Sequence, residues 1–153
     1  MASTKCGFTS IAGGAPGQEL LVFYGPTLFV DIGFDPNFQP SGPGVPVPGI
    51  TEIRALVDTG ASESCIDSLL ATQLNLPIID KKTVSGIHGG QEVSMHLAQI
   101  HVPTLGHTIY GSFAGVHLAS GGQWHRAIIG RTFLQRFTMV YDGRTGDATI
   151  SSD

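Results

Sequence analysis

Ala55-Leu56-Val57-Asp58-Thr59-Gly60-Ala61-Ser62 runs an apolar strand into a single carboxylate, then at once into a hydroxyl, a turn glycine and two small residues. Leu56 and Val57 suit the end of a paired strand, and Gly60 permits a positive φ or a close backbone approach. Asp58 is therefore expected in a tight, partly buried loop. A carboxylate there is costly unless it is hydrogen-bonded, paired or protonated. Turn chemistry is one reason for such a residue, since an Asp side chain can cap its own backbone. Catalysis is another. Two carboxyls in contact share one proton, and the pair can deprotonate a water while protonating a carbonyl oxygen.

Upstream, Thr51 to Val57 reads as the strand that delivers Asp58. Before it, Asp35 to Gly49 holds Pro36, Pro40, Pro43, Pro46 and Pro48. Proline cannot feed a sheet ladder, so residues 35–49 are expected to form a surface connection or a short polyproline stretch. Glu19 to Phe34 is apolar and aromatic on both sides of Gly25-Pro26, a pattern that predicts two strands, or one strand with a sharp break. Residues 1–17 are small, polar and glycine-rich and read as a flexible tail, leaving 18–153 as one domain.

Downstream, Ile66, Leu69, Leu70 and Leu74 recur at helical spacing. They predict a short helix over 66–74, capped by Ser62 or Ser64 and closed by Leu76-Pro77. Thr83 to Glu92 places Gly86, Gly89 and Gly90 around one apolar residue, which suggests a mobile hairpin tip. No Lys-Ser/Thr pair follows, which disfavours a phosphate cradle. Strands are expected at 99–102, 107–113 and 115–118, with a loop at Ser120-Gly121-Gly122. Ala127 to Ile129 reads as a buried strand leading into a second short helix through Phe137. Asp142 to Gly146 reads as a hairpin connection between strands at 138–141 and 148–151.

The 153 residues suit a single domain with a proper core. Only 13% are charged, against about a quarter in an average protein, while Gly numbers 21 and Pro 9, as a turn-rich β protein requires. A net charge of -4 and the lack of a basic run give no support for nucleic-acid or membrane binding. Cys6, in the expected tail, and Cys65 form no CxxC pair and read as free thiols. The start lacks the basic and apolar segments of a signal peptide, and no run reaches membrane-spanning length, so a reducing cytoplasm is the expected compartment. The 6 histidines show no helical HxxxH pair, so no metal is expected. Without a GxSxG elbow, a serine hydrolase is disfavoured too.

Four elements in this order resemble the retropepsin-like aspartic proteases, the single-lobed relatives of pepsin: DTGAS at 58–62, LNLP at 74–77, the glycine-rich hairpin, and IIGRTFL at 128–134. The resemblance runs from about Thr27 to the C-terminus. It implies a mostly β, closed fold with one or two short helices. Since the acidic loop occurs once, it also implies a homodimer with Asp58 and its symmetry mate at the axis. By the same resemblance Asp58 is the catalytic aspartate, the Thr59 hydroxyl ties the two loops together, and Gly60 faces substrate. Ala61 and Ser62 continue the substrate wall. Ile87, His88, Gly89 and Gly90 lie where the family has its flap, Ile128 at a side-chain pocket, and Gly130 behind the active loop. Arg131 matches an arginine that braces the dimer.

Three departures accompany the match. Retroviral members commonly carry a carboxylate where this chain has Ser62, so Arg131 needs another partner, either Glu63 or Asp67, or else it faces solvent. The proline-rich insertion is additional. The hairpin around Tyr141-Asp142-Gly143 looks like that of cellular and bacterial members. The implied activity is hydrolysis of an extended, apolar peptide segment without metal or other cofactor. Two other readings stand beside it: a catalytically silent dimeric peptide-binding module, and a precursor whose residues 1–26 block the cleft.

Overall fold

The computed structural model describes residues 1–86 and 89–152. Ten strands and three short α-helices are built around one core, and the fold is mostly β. The proline-free apolar stretches supply the principal sheet. Strands β2 (Thr27–Gly33), β3 (Ile50–Val57), β4 (Cys65–Asp67), β5 (Ile78–Gly86), β6 (Gly89–Val102), β7 (His107–Val116) and β8 (Ala127–Ile129) lie in the order β2-β3-β8-β4-β7-β6-β5. Strand β6 also pairs with β2, through Asp31↔His101 to Gly33↔Gln99. This second pairing closes the sheet on itself and leaves β5 as an arm. Val30, Ile32, Ala55, Ile66, Ile100, Ala127 and Ile129 are fully buried inside the closure.

Two pairings decide the position of Asp58. Strand β3 runs parallel to β8, with Val57 opposite Ile129, and the ladder continues one residue further when the Asp58 amide donates to the Ile129 carbonyl at 2.9 Å. On the other side of β3, the Val57 amide donates to the Pro26 carbonyl at 2.8 Å. Asp58 therefore leaves the sheet with both neighbouring backbones still attached.

The N-terminus differs from expectation. Ser3–Lys5 form β1, which pairs with β10 (Asp147–Ser151); β10 in turn pairs with β9 (Thr138–Asp142). Residues 1–17 are thus not a loose tail, and Cys6 is 1% exposed within the core. The stretch before Gly25 is also not a strand. It forms helix α1, Gly17–Tyr24, with Gly17 and Leu21 buried and Val22 and Phe23 exposed. Burial at positions four apart is helical, a distinction that a short apolar run does not reveal by itself. Gly25 ends α1 at φ +75°, its amide donating to the Leu21 carbonyl, a backbone state that glycine adopts without strain.

The helix expected over 66–74 is shorter. Cys65–Asp67 is strand β4, inserted between β8 and β7, and helix α2 covers Ser68–Gln73. Its cap is neither Ser62 nor Ser64 but Asp67, whose carboxylate accepts from the Leu70 amide at 3.2 Å. Strand β7 runs unbroken through Val116 where two strands were expected. Helix α3, Arg131–Leu134, stops short of Phe137, to which the second helix was expected to run, and the hairpin of β9 and β10 lies where the pattern put it. Residues 35–49 form no strand or helix and run over the surface.

Candidate active site

Asp58 is half-buried at the mouth of its loop, and Thr59 and Gly60 are exposed. The Asp58 Oδ1 accepts the Gly60 amide at 2.8 Å, and the Ala61 amide donates to the Asp58 carbonyl at 3.2 Å. The loop thus turns back on the carboxylate it carries. Gly60 is not in a positive-φ conformation. Its value lies in closeness, because a Cβ there would sit 3.1 Å from the Asp58 Oδ1 and disturb this bond. Among the described residues the Thr59 hydroxyl has no hydrogen-bond partner within the chain.

The segment after β8 clamps the loop from behind. The Arg131 amide donates to the Ala61 carbonyl at 2.9 Å and the Thr132 amide to the Ser62 carbonyl at 3.0 Å. The Gly130 amide donates to the Ser64 Oγ, which is buried. A Cβ on Gly130 would stand 2.6 Å from the Glu63 backbone, so only glycine fits this approach. Neither expected carboxylate pairs with Arg131. Its Nη1 donates to the Thr59 carbonyl at 2.8 Å, bracing the Asp58 loop of its own chain. Asp67 is taken by Arg126 at 3.1 Å and by the Leu118 and Ala119 amides.

Beyond Gly60 a cleft of about 730 Å³ opens between this loop, β5, β7 and Ile128. Ala61, Ser62 and Ile128 line it. Gly89 and Gly90 are exposed at the start of β6, where Gly86 pairs with Gly89. Ile87 and His88 lie outside the described residues. Residues 1–26 contribute nothing to the cleft wall, which speaks against the blocked-precursor reading.

Sequence reasoning missed much of the lining. Ser112, Ala114 and Val116 face the cleft from β7, with Phe113 and Gly115 buried behind them. Their two-residue spacing was the available signal. Met95 from β6 and Lys82, Thr83, Val84 and Ser85 from β5 complete the opposite side. Cys65 also lines the cleft, and its thiol is pushed up to about 12, by burial first and then by the negative charge of Asp58. The thiol itself stays protonated and is no nucleophile.

With this geometry in view, the comparisons are informative. Residues 45–133, more than half of the chain, match the aspartyl protease family. The chain belongs to that family, and its single acidic loop in a closed sheet makes it one of the single-lobed, retropepsin-like members. Solved structures similar to it include the EIAV protease complexed with the inhibitor HBY-793, at 22% identity over 72% of this chain and 85% of that one, with a TM-score of 0.46. The simian foamy virus (mac) protease is similar at 14% identity over 71% and 91%, with a TM-score of 0.44. No curated protein matches the sequence.

Proposed function

We propose that this chain is an aspartic endopeptidase that acts as a homodimer, with Asp58 of each copy forming one dyad. The observation that carries the reading is the half-buried Asp58 carboxylate, held by the amide of Gly60, which itself lines the cleft. One carboxyl cannot be both base and acid in one step, so a second copy must supply the other. The unpartnered Thr59 hydroxyl beside it is available to bond across the axis.

In the dyad one carboxyl is ionised and the other keeps its proton, since like charges in contact cannot both ionise. The ionised member takes a proton from a water held between them. The protonated member donates to the carbonyl oxygen of the scissile bond. An extended peptide lies along the cleft beneath the outer part of the β5–β6 hairpin, where backbone bonds give affinity and alternate side chains enter pockets. Met95, Ala114, Val116 and Ile128 make those pockets apolar, which favours hydrophobic residues flanking the cut. The glycine-rich tip, with Ile87, His88, Gly89 and Gly90, serves as the flap that excludes water.

The test compares the natural protein with Asp58→Asn on a diverse peptide mixture between about pH 4 and 7, products being read by mass spectrometry. Cuts between apolar residues should appear with the natural protein and vanish in the variant, and sedimentation should show a dimer. Full activity in a preparation that sediments only as monomer would overturn the dyad. A folded dimer that binds peptides but cuts none would leave a binding module.

A further inference from the structure

A second cavity, of about 580 Å³, lies outside the catalytic cleft and shares Glu63 and Ser112 with it. Strand β7 runs through both. Ser112 stands at the junction, Ala114 and Val116 lead into the cleft, and Thr108 and Tyr110 lead the other way. The far wall is the proline-rich loop, including Phe38 and Pro43, with the Phe38 ring 6.0 Å from that of Tyr110. Proline in that loop makes the wall pre-organised, so little entropy is lost when a ligand enters.

The lining of this cavity carries the guanidinium of Arg136 as well as the carboxylate of Glu63. Arg136 lines it, and among the described residues no carboxylate lies within 4.0 Å of the guanidinium. His107 lines it as well, its ring held edge-on against Phe133 at 5.4 Å and Phe137 at 5.3 Å. His101, His107 and Arg136 all line this space, and burial, then the charges of Arg136 and His101, hold the His107 pKa down. His107 is thereby kept a neutral donor beside a permanent cation. A planar guanidinium presents a fork of N–H donors that matches a carboxylate in two bonds.

We propose that this cavity is a distal substrate subsite, in which Arg136 and His107 receive an acidic side chain of the same peptide whose apolar segment fills the catalytic cleft. The proposal rests on the protease reading for its source of ligand. It gives the proline-rich insertion a role as the outer wall of an elongated binding groove. Glu63, at the neck between the two cavities, repels an acidic residue placed too near the cut and so sets the spacing.

The experiment uses peptides with an apolar centre and one Glu scanned through the outer positions, each with a Gln twin. Binding is measured by calorimetry on the Asp58→Asn dimer and cleavage on the natural protein. At one outer position the Glu peptide should bind about fivefold tighter than its twin, the scale of a solvent-accessible ion pair. Arg136→Gln should abolish that preference and Arg136→Glu reverse it. Arg136 is exposed, so both variants should fold. Equal binding of every Glu and Gln twin, or a preference that survives both Arg136 variants, overturns the subsite. Absence of cleavage by the natural protein would instead overturn the protease reading, while the binding arm still reports on the subsite.

Discussion

The Asp58 carboxylate depends on a few close backbone approaches, and Gly130 is the tightest of them. Its amide bonds Ser64 and its Cα face touches the Glu63 backbone, with no room for a methyl group. Backbone atoms cannot rotate away as a side-chain tip can. Gly130→Ala should therefore lower stability by about 2 kcal/mol, in the range of overpacked sites, and shift the active loop. A urea titration checks this, and an unchanged midpoint would mean that the two segments do not meet as described. Arg131 belongs to the same scale. Its bond to the Thr59 carbonyl replaces the carboxylate pairing that Ser62 removes from this chain.

At the level of elements, one buried group joins three of them. Asp67 ends β4, caps α2 through the Leu70 amide, and accepts from the Leu118 and Ala119 amides beyond β7. Arg126, just before β8, completes its shell. The carboxylate is fully buried, whereas the Arg126 side chain is 30% exposed. Removing the anion leaves three amides, those of Leu70 and Leu118 buried and that of Ala119 half-buried, and a cation without their acceptor. Asp67→Ala should cost about 3 kcal/mol, as breaking a buried pair usually does. Thermal unfolding measures it, and a shift of under about a third of that would show water taking over these bonds.

The whole molecule responds to acid through two histidines, His125, which is buried, and His107, which is half-buried. His125 is 4% exposed and bonds the Thr27 hydroxyl at 2.8 Å; burial, then the charge of Arg54, holds its pKa below 6.5. His107 is lowered in the same direction, by burial, Arg136 and His101. In the unfolded chain both histidines take up protons near their ordinary value of 6.5, while the folded chain does so only at lower pH. The unfolded state thus binds more protons, and stability falls as pH drops through about 6.5 toward the lowered folded values. Denaturant midpoints should decline between about pH 7 and 5, and a flat profile would refute it. If the dyad works best in acid, the protein works where its fold is weaker. No described helix is long and apolar enough to cross a membrane.

What neighbours along the chain dictate was legible before any fold was known. The acidic loop at Asp58, the hairpin turn at 142–146, the buried strand at 127–129 and a turn-rich β class follow from local composition and order, whereas closure of the sheet was implied only by the resemblance to a family. The clamp on that loop follows only in its outline, as Gly130 and Arg131 in a matching motif. Tertiary structure alone decided the rest. Glu19 to Tyr24 is helical because one face packs at four-residue spacing, and Cys65–Asp67 is a strand because two other strands flank it. Cys6 is buried because β1 closes an edge supplied by β10, at the other end of the chain. Arg131 and Asp67 found partners that closure of the sheet brought within reach, and no spacing along the chain encodes such a distance. The two contiguous cavities have the same origin, since β7 joins them only once it lies between β4 and β6.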